Sequence, residues 1–120
     1  MAKILVADDE LALQSLVREV LENEGHQVLL VGTGVEVMPA LVREKPDALI
    51  LDVMLPGLDG YSLQCSIAKD PQLKDIPVIV ITAQKTFLAM FREFRQVRGA
   101  LAKPFRNEEL VRAVREVLKR

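Results

Sequence analysis

Acidic, hydroxyl and ammonium side chains follow short apolar runs at four separate points of this sequence. The first run ends in three consecutive acids, the next in one aspartate, and two later runs in a threonine and a lysine. These residues are Asp8, Asp9, Glu10, Asp52, Thr82 and Lys103. Carboxylates that meet repel one another unless a proton or a cation relieves the repulsion. A meeting of these acids would therefore favour a hard divalent ion with oxygen ligands, with Mg²⁺ the first candidate.

The threonine and the lysine extend this chemistry to phosphate. Mg²⁺ usually keeps water ligands and leaves positions for phosphate oxygens. Lys103 offers a point charge suited to a phosphate, and the Thr82 hydroxyl can donate a hydrogen bond to another oxygen. A carboxylate nucleophile, a metal ion and a lysine together indicate phosphoryl transfer to an aspartate. Each residue alone also fits a structural role, such as a helix cap or a strand position. The functional interpretation therefore depends on whether the fold brings these residues together.

Five apolar runs alternate with five segments of helical periodicity. We expect strands at residues 3–7, 27–31, 48–51, 78–81 and 100–102. Strands that are apolar on both faces and are each followed by a helix indicate a parallel sheet covered on both sides. Right-handed crossovers favour the flavodoxin-like order 2-1-3-4-5, an α/β doubly wound fold with five helices. Ligands bind beyond the carboxyl ends of such strands, where the acids, the threonine and the lysine fall.

Several helix boundaries follow from capping and breaking residues. Thr33 and Glu36 have the spacing of a capping box that opens the second helix. Pro39 inside that helix predicts a kink or a late start. The fourth helix is expected over residues 85–97, and Asn107 is expected to cap the last helix.

The composition is that of an ordinary globular protein, and we expect one domain over residues 1–120. Half of the residues are hydrophobic and 28% are charged.

No apolar run approaches the roughly 18 residues of a membrane span, and no secretory signal is evident, which favours a cytoplasmic location. A single cysteine excludes an intramolecular disulfide and a multi-cysteine metal site. Few aromatic residues and no recognition-helix module argue against direct nucleic-acid binding.

The net charge of −1 conceals two parts of opposite sign. Residues 1–84 carry 13 acidic and 6 basic residues, whereas residues 85–120 carry 4 acidic and 10 basic residues. The acidic part favours cation binding, and the basic part favours an acidic partner or phosphate. Solvated helix faces would give the same counts.

Over essentially its whole length the chain resembles the receiver domain of two-component response regulators. Four motifs carry the resemblance, in the order and spacing of that family. They are residues 3–10 (KILVADDE), 51–60 (LDVMLPGLDG), 81–83 (ITA) and 103–105 (KPF). Each motif is weak alone, but all four within 120 residues are highly specific.

The resemblance implies a role for each of the three aspartates. Asp52 would be the phosphoacceptor, taking its phosphoryl group from a phosphohistidine on a sensor histidine kinase or a histidine phosphotransfer protein. Asp9, Asp52 and the backbone carbonyl of Met54 would ligate Mg²⁺, with Asp8 acting largely through water. The chain would be a signalling phosphoacceptor that assists its own phosphoryl transfer and dephosphorylation, not an enzyme acting on a separate substrate.

The resemblance also implies roles around the phosphoryl group. Thr82 and Lys103 would contact its oxygens, while Ala83 would keep the approach open and offer its backbone N–H. The bond between Lys103 and Pro104 would be cis, as is typical of the family.

Two further positions influence the phosphoryl lifetime in the family. They lie two residues after the acceptor and two after the threonine, and here they hold Met54 and Gln84. Neither is an acid, so no evident general base activates water, and we expect slow autodephosphorylation.

One departure concerns the output. Three residues before Lys103 the family has Tyr or Phe, whereas this chain has Ala100. A response to phosphorylation at the surface of the fourth helix, fifth strand and fifth helix would then occur without the movement of an aromatic ring at this position. That surface could contact an output partner, a fused effector domain or a second copy in a homodimer. The phenylalanines at 87, 91 and 94 would form either a wide core stripe or a partly exposed apolar patch.

Three alternatives stand beside the phosphoacceptor hypothesis. A degenerate receiver would act only as a phosphorylation-independent interaction module. Ala100 favours this alternative, whereas the intact acceptor, metal and lysine positions argue against it. A Mg²⁺-dependent phosphohydrolase with an aspartyl-phosphate intermediate needs a second acid where Met54 stands, and a substrate cap. A flavodoxin-like FMN binder is disfavoured, because an acidic pair after the first strand would repel the cofactor phosphate.

Overall fold

The computed structural model describes residues 2–57 and 59–119, and its centre is a five-stranded sheet. All strand pairs are parallel, in the order β2-β1-β3-β4-β5. The strands are β1 (Lys3–Ala7), β2 (Gln27–Val31), β3 (Ala48–Asp52), β4 (Val78–Thr82) and β5 (Val97–Ala102). The predicted flavodoxin-like order is therefore confirmed.

Four helical segments connect the strands, and a fifth follows β5. They are α1 (Leu11–Asn23), α2 (Gly34–Glu44), α3 (Gly60–Lys69), a 3₁₀ helix (Lys85–Phe91) and α4 (Asn107–Leu118). Among the described residues, no helix has the length and apolar character needed to cross a membrane.

The fourth helical segment differs from the predicted helix over residues 85–97. It is a 3₁₀ helix and ends at Phe91, and β5 begins at Val97, three residues earlier than expected. The cause is the anchoring of the following residues. The buried Gln96 side chain donates to the carbonyls of Leu73 and Ile76 at 3.1 Å and 2.8 Å, and Val97 already pairs with β4.

The start of α2 confirms the contact expected of Glu36 and contradicts the late start that was one of the two effects expected of Pro39. The Glu36 carboxylate accepts from the backbone N–H of Thr33 at 3.1 Å. This contact sets the helix start at Gly34, and the helix runs through the exposed Pro39 to Glu44. The predicted late start is therefore wrong.

The start of α4 also differs by one residue from the prediction. Asn107 is the first helical residue, and Arg106 is the N-cap. The Glu109 carboxylate accepts from the backbone N–H of Arg106 at 2.8 Å, so this contact supplies the cap that Asn107 was expected to provide.

Apolar layers cover both faces of the sheet. One layer packs β1, β3 and β4 against α2, α3 and the 3₁₀ helix, and the other packs the sheet against α1 and α4. Every residue of β3 and β4 is buried. Because close-packed strands shift little, their last residues are rigidly placed.

The strand register places the ends of β1, β3, β4 and β5, which carry the candidate site residues, at one edge of the sheet. Ala7 pairs with Leu51, and Asp52 pairs with Ile81. Thr82 in turn pairs with Ala102. The residues just after β1 and β5 therefore lie beside the last residues of β3 and β4.

Candidate functional site

An acidic cluster forms where β1 and β3 end. One carboxylate oxygen from each of Asp8, Asp9 and Asp52 lies within 4.8 Å of the others. Asp8 and Asp52 are buried, whereas Asp9 is exposed. Three carboxylates at this spacing form an all-oxygen donor set of the kind that Mg²⁺ accepts.

Lys103 reaches into this cluster from the end of β5. Its Nζ lies 2.8 Å from Glu10 Oε1, 3.0 Å from Asp52 Oδ2 and 3.0 Å from Asp8 Oδ2. Burial alone would lower the pKa of Lys103, but these carboxylates outweigh it and raise the pKa above its ordinary value. The lysine is therefore an ammonium ion at neutral pH.

Asp8 has the least satisfied carboxylate of the cluster. Its side chain is fully buried, and burial raises its pKa, although the Glu10 N–H and Lys103 oppose the rise. Oδ1 accepts from the Glu10 N–H at 2.9 Å. Oδ2 has no hydrogen-bond partner among the described residues, and its close cationic neighbour is Lys103 Nζ at 3.0 Å, which two other carboxylates share. A buried, unpartnered oxygen beside other carboxylates fits a cation bound directly or through water.

Asp52 uses its two oxygens differently. Oδ1 accepts from the backbone N–H of Met54 at 2.9 Å, and Oδ2 accepts from the Lys103 ammonium at 3.0 Å. The side chain of Met54 points to solvent. The carboxylate is thus oriented by its own loop and faces the lysine.

Thr82 ends β4 beside Asp52, and its side chain is buried. Its Oγ1 accepts from the backbone N–H of Gln84 at 3.0 Å, which leaves the hydroxyl proton free to be donated elsewhere. Ala83 is exposed and presents only a methyl group. The peptide bond between Lys103 and Pro104 is cis, as expected.

An open groove of about 510 Å³ adjoins the cluster. Its walls come from α1 and from the loops that follow β4 and β5. The lining residues are Glu10, Ala12, Leu13, Leu16, Ala83, Lys103, Pro104 and Phe105. A partly apolar groove next to the ammonium can receive a protein surface that presents a phosphate group.

Glu10 is a member of this site to which sequence reasoning gave no role. In the sequence it is one of three consecutive acids after a strand, and its partner Lys103 is 93 positions away. Lys103 holds the pKa of the Glu10 carboxyl below its ordinary value. No local pattern could have indicated the contact.

The phenylalanines of the predicted fourth helix divide between core and surface. Phe91 is buried, whereas Phe87 and Met90 are exposed. The ring of Tyr61 on α3 packs against Phe91 and Phe94, with centroid separations of 5.9 Å and 5.4 Å. The core-stripe interpretation therefore holds for Phe91 and the partly buried Phe94, whereas Phe87 lies at the surface, as the exposed-patch interpretation expected.

Comparisons of sequence agree with this geometry. Residues 4–115 match the family model of the response regulator receiver domain. The chain is 34% identical over 119 residues to Protein PilH of Pseudomonas aeruginosa, with 98% of each chain covered. It is 36% identical over 121 residues to Response regulator MprA of Mycobacterium leprae, and the match covers 98% of this chain. It spans only 51% of MprA, about half the length of that relative.

A comparison of structures gives the same result. The receiver domain of sensor histidine kinase PA1611 from Pseudomonas aeruginosa superposes with a TM-score of 0.86 at 30% sequence identity. The match covers 99% of this chain and 98% of that one. That crystal structure has a magnesium ion coordinated in the active site cleft.

Proposed function

The chain belongs to the response regulator receiver domain family, and we propose that Asp52 is the residue on which it accepts a phosphoryl group. Receiver domains are the phosphoacceptor domains of two-component signalling proteins, not enzymes that turn over a separate substrate. One observation carries the proposal. Asp52 is the carboxylate that a buried strand end, the Met54 N–H and the Lys103 ammonium together hold in the acidic cluster.

In the transfer an Asp52 carboxylate oxygen attacks the phosphorus of a phosphohistidine. The new O–P bond forms as the N–P bond breaks, and the imidazole of the donor leaves with the electron pair. Lys103 already contacts Asp52 Oδ2, so its ammonium meets the oxygens of the arriving group and offsets their charge.

The acidic cluster fits Mg²⁺, which receiver domains generally bind at an acidic pocket. Asp9, Asp52 and the backbone carbonyl of Met54 would hold the ion, and Asp8 would act through water. When bound, the ion neutralises charge that develops on the phosphoryl oxygens.

Thr82 and Ala83 complete the surroundings of the phosphoryl group. The Thr82 hydroxyl donates its free proton to a phosphoryl oxygen while Oγ1 keeps the Gln84 contact. Ala83 contributes its backbone N–H, and its single methyl group leaves room for the donor.

Receiver domains work with histidine kinases and with output effectors. For this chain the donor is a sensor histidine kinase or a histidine phosphotransfer protein, and the groove beside Lys103 supports a docked protein donor. Residues 1–120 form one receiver domain. The output partner, effector or second copy contacts the surface of the 3₁₀ helix, β5 and α4, where Phe87 and Met90 are exposed.

Phosphoryl uptake tests this assignment. Wild type, Asp52→Asn and the matched surface variant Asp75→Asn are incubated with acetyl phosphate and Mg²⁺, and intact masses are measured. We expect wild type and Asp75→Asn to gain one phosphoryl group each, and Asp52→Asn or EDTA-treated wild type to gain none. Uptake by Asp52→Asn, or none by wild type with Mg²⁺, would overturn the assignment.

A further inference from the structure

Glu10 directs its carboxylate at Lys103 and not at its own helix. It is the N-cap residue of α1, yet its side chain makes no capping hydrogen bond. Its Oε1 lies 2.8 Å from Lys103 Nζ, the shortest of the three carboxylate contacts of that ammonium. The side chain of Glu10 therefore belongs to the site and contributes little to the start of α1.

Glu10 and the acceptor share one cation. Glu10 Oε1 and Asp52 Oδ2 lie 2.8 Å and 3.0 Å from the same nitrogen, so these oxygens are at most about 6 Å apart. A phosphoryl group on Asp52 would bring further negative charge into this space and would need the same ammonium.

The three carboxylates around Lys103 differ in their freedom to leave. The side chains of Asp8 and Asp52 are 0% and 6% exposed, whereas that of Glu10 is 61% exposed. Glu10 can turn into solvent when another anion takes its place on the lysine. It is thus the exchangeable partner of Lys103.

We propose that Glu10 is a positioning residue that competes with the phosphoryl group for Lys103, slowing phosphoryl uptake while its charge strengthens cation binding at the acidic cluster. The uptake half of this inference rests on the proposed function at Asp52. The two effects have opposite signs because a negative charge beside the site repels an incoming anion and attracts a cation. Damage to the fold, in contrast, would lower both the phosphoryl uptake rate and the affinity for the cation.

The test compares Glu10→Gln with Glu19→Gln, which removes the same charge from an exposed position on α1. Mg²⁺ affinity is measured by calorimetry without phosphodonor, and the uptake rate from acetyl phosphate is measured by intact mass at saturating Mg²⁺. For Glu10→Gln we expect Mg²⁺ affinity to fall and uptake to rise, each by roughly 2- to 10-fold. Glu19→Gln should change neither by as much as twofold.

Two additional measurements separate charge from shape. Both shifts in Glu10→Gln should shrink as ionic strength rises, because the Glu10 side chain is largely solvent-exposed and its charge is screened. Glu10→Asp keeps the charge but shortens the side chain, so it should retain most of the Mg²⁺ affinity of wild type.

The outcomes distinguish this inference from the assignment of Asp52. Uptake by wild type and none by Asp52→Asn would support the acceptor. If, in addition, Glu10→Gln leaves the Mg²⁺ affinity and the uptake rate unchanged, or lowers both, competition by Glu10 is overturned and the assignment of Asp52 is not. If wild type takes up no phosphoryl group, the assignment of Asp52 and the uptake half of this inference are overturned, and the Mg²⁺ affinity of Glu10→Gln decides the cation half by itself. Opposite shifts that fade with salt support the competition.

Discussion

The backbone N–H of Lys103 donates to the carbonyl of Thr82 across 2.8 Å, which joins the ends of β4 and β5 directly beside the acidic cluster. This bond continues the ladder in which Thr82 already pairs with Ala102. The backbone therefore sets the spacing of the two residues, and the carboxylates of the cluster hold the ammonium in place. Replacing either side chain leaves the other in place, so their contributions can be measured separately.

Lys103→Met removes the ammonium that three carboxylates share. We expect phosphoryl uptake at saturating Mg²⁺ to fall by about 10²-fold, the usual loss when one preorganised donor to a developing charge is removed. Without Mg²⁺ the Tm should also fall, because the buried Asp8 and Asp52 lose their cationic neighbour. Mg²⁺ should then raise the Tm of this variant more than that of wild type. The exposed Lys74→Met is the control, and an equal Mg²⁺ response in variant and wild type would contradict the account.

Met54→Glu places a carboxylate two residues after the acceptor. Wild type should lose its phosphoryl group slowly, because neither Met54 nor Gln84 can act as a general base for water. The variant should lose it about 10²-fold faster, the lower end of the range for a positioned base. Decay of the isolated phosphoprotein, followed by intact mass, gives the half-life. Met90→Glu, at another exposed methionine, should leave the half-life unchanged, and rapid decay of wild type would refute the expectation.

Gly60→Ala tests the packing behind the acceptor loop. A Cβ at this position would collide with the carbonyl oxygen of Val53, so the backbone next to Asp52 would have to move. We expect a loss of about 1–3 kcal/mol in the free energy of unfolding, measured with urea, and slower phosphoryl uptake. Gly32→Ala, whose added Cβ meets nothing closer than 3.8 Å, should be nearly neutral. Equal stability of the two variants would contradict the prediction.

Glu36 predicts a pH dependence at the start of α2. Hydrogen bonds from the Thr33 hydroxyl and from the backbone of Gly32 and Thr33 hold the pKa of Glu36 below its ordinary value of 4.5. A lowered pKa in the folded state stabilises the protein above pH 4.5, and this contribution is lost as the pH falls through the folded pKa. The Tm difference between wild type and Glu36→Gln should therefore be largest near neutral pH and vanish in acid. A difference that does not vary with pH would show that charge is not the cause.

The sheet could be predicted from the sequence because its central strands are buried on both faces. The run from Val78 to Ile81 is β-branched and apolar throughout, a pattern typical of a parallel strand between two helical layers. The end of each apolar run also marks the end of a strand. Because the carboxyl ends of parallel strands meet at one edge of the sheet, the topology alone predicted that Asp52, Thr82 and Lys103 lie close together.

The features that sequence reasoning missed depend on contacts between distant residues. The helix expected over residues 85–97 gave way to a 3₁₀ helix because the amide of Gln96 bonds to carbonyls about 20 positions earlier. Helical periodicity in residues 85–97 carries no information about those carbonyls. The contact between Glu10 and Lys103 is a stronger case, since only the assembled sheet brings the two together.

The packing of Tyr61 against Phe91 and Phe94 gives the protein a built-in optical probe. Tyr61 is the only tyrosine of the chain, which has no tryptophan, so its absorbance and emission can be recorded without a label. Its hydroxyl donates to Glu93, and that contact raises the pKa of Tyr61 to about 12. If the segment after the 3₁₀ helix detaches from α3, the alkaline midpoint of the tyrosine absorbance falls toward that of free tyrosine. Tyrosine emission, recorded at neutral pH with and without a phosphoryl group on Asp52, can therefore report whether events at Asp52 reach this part of the molecule.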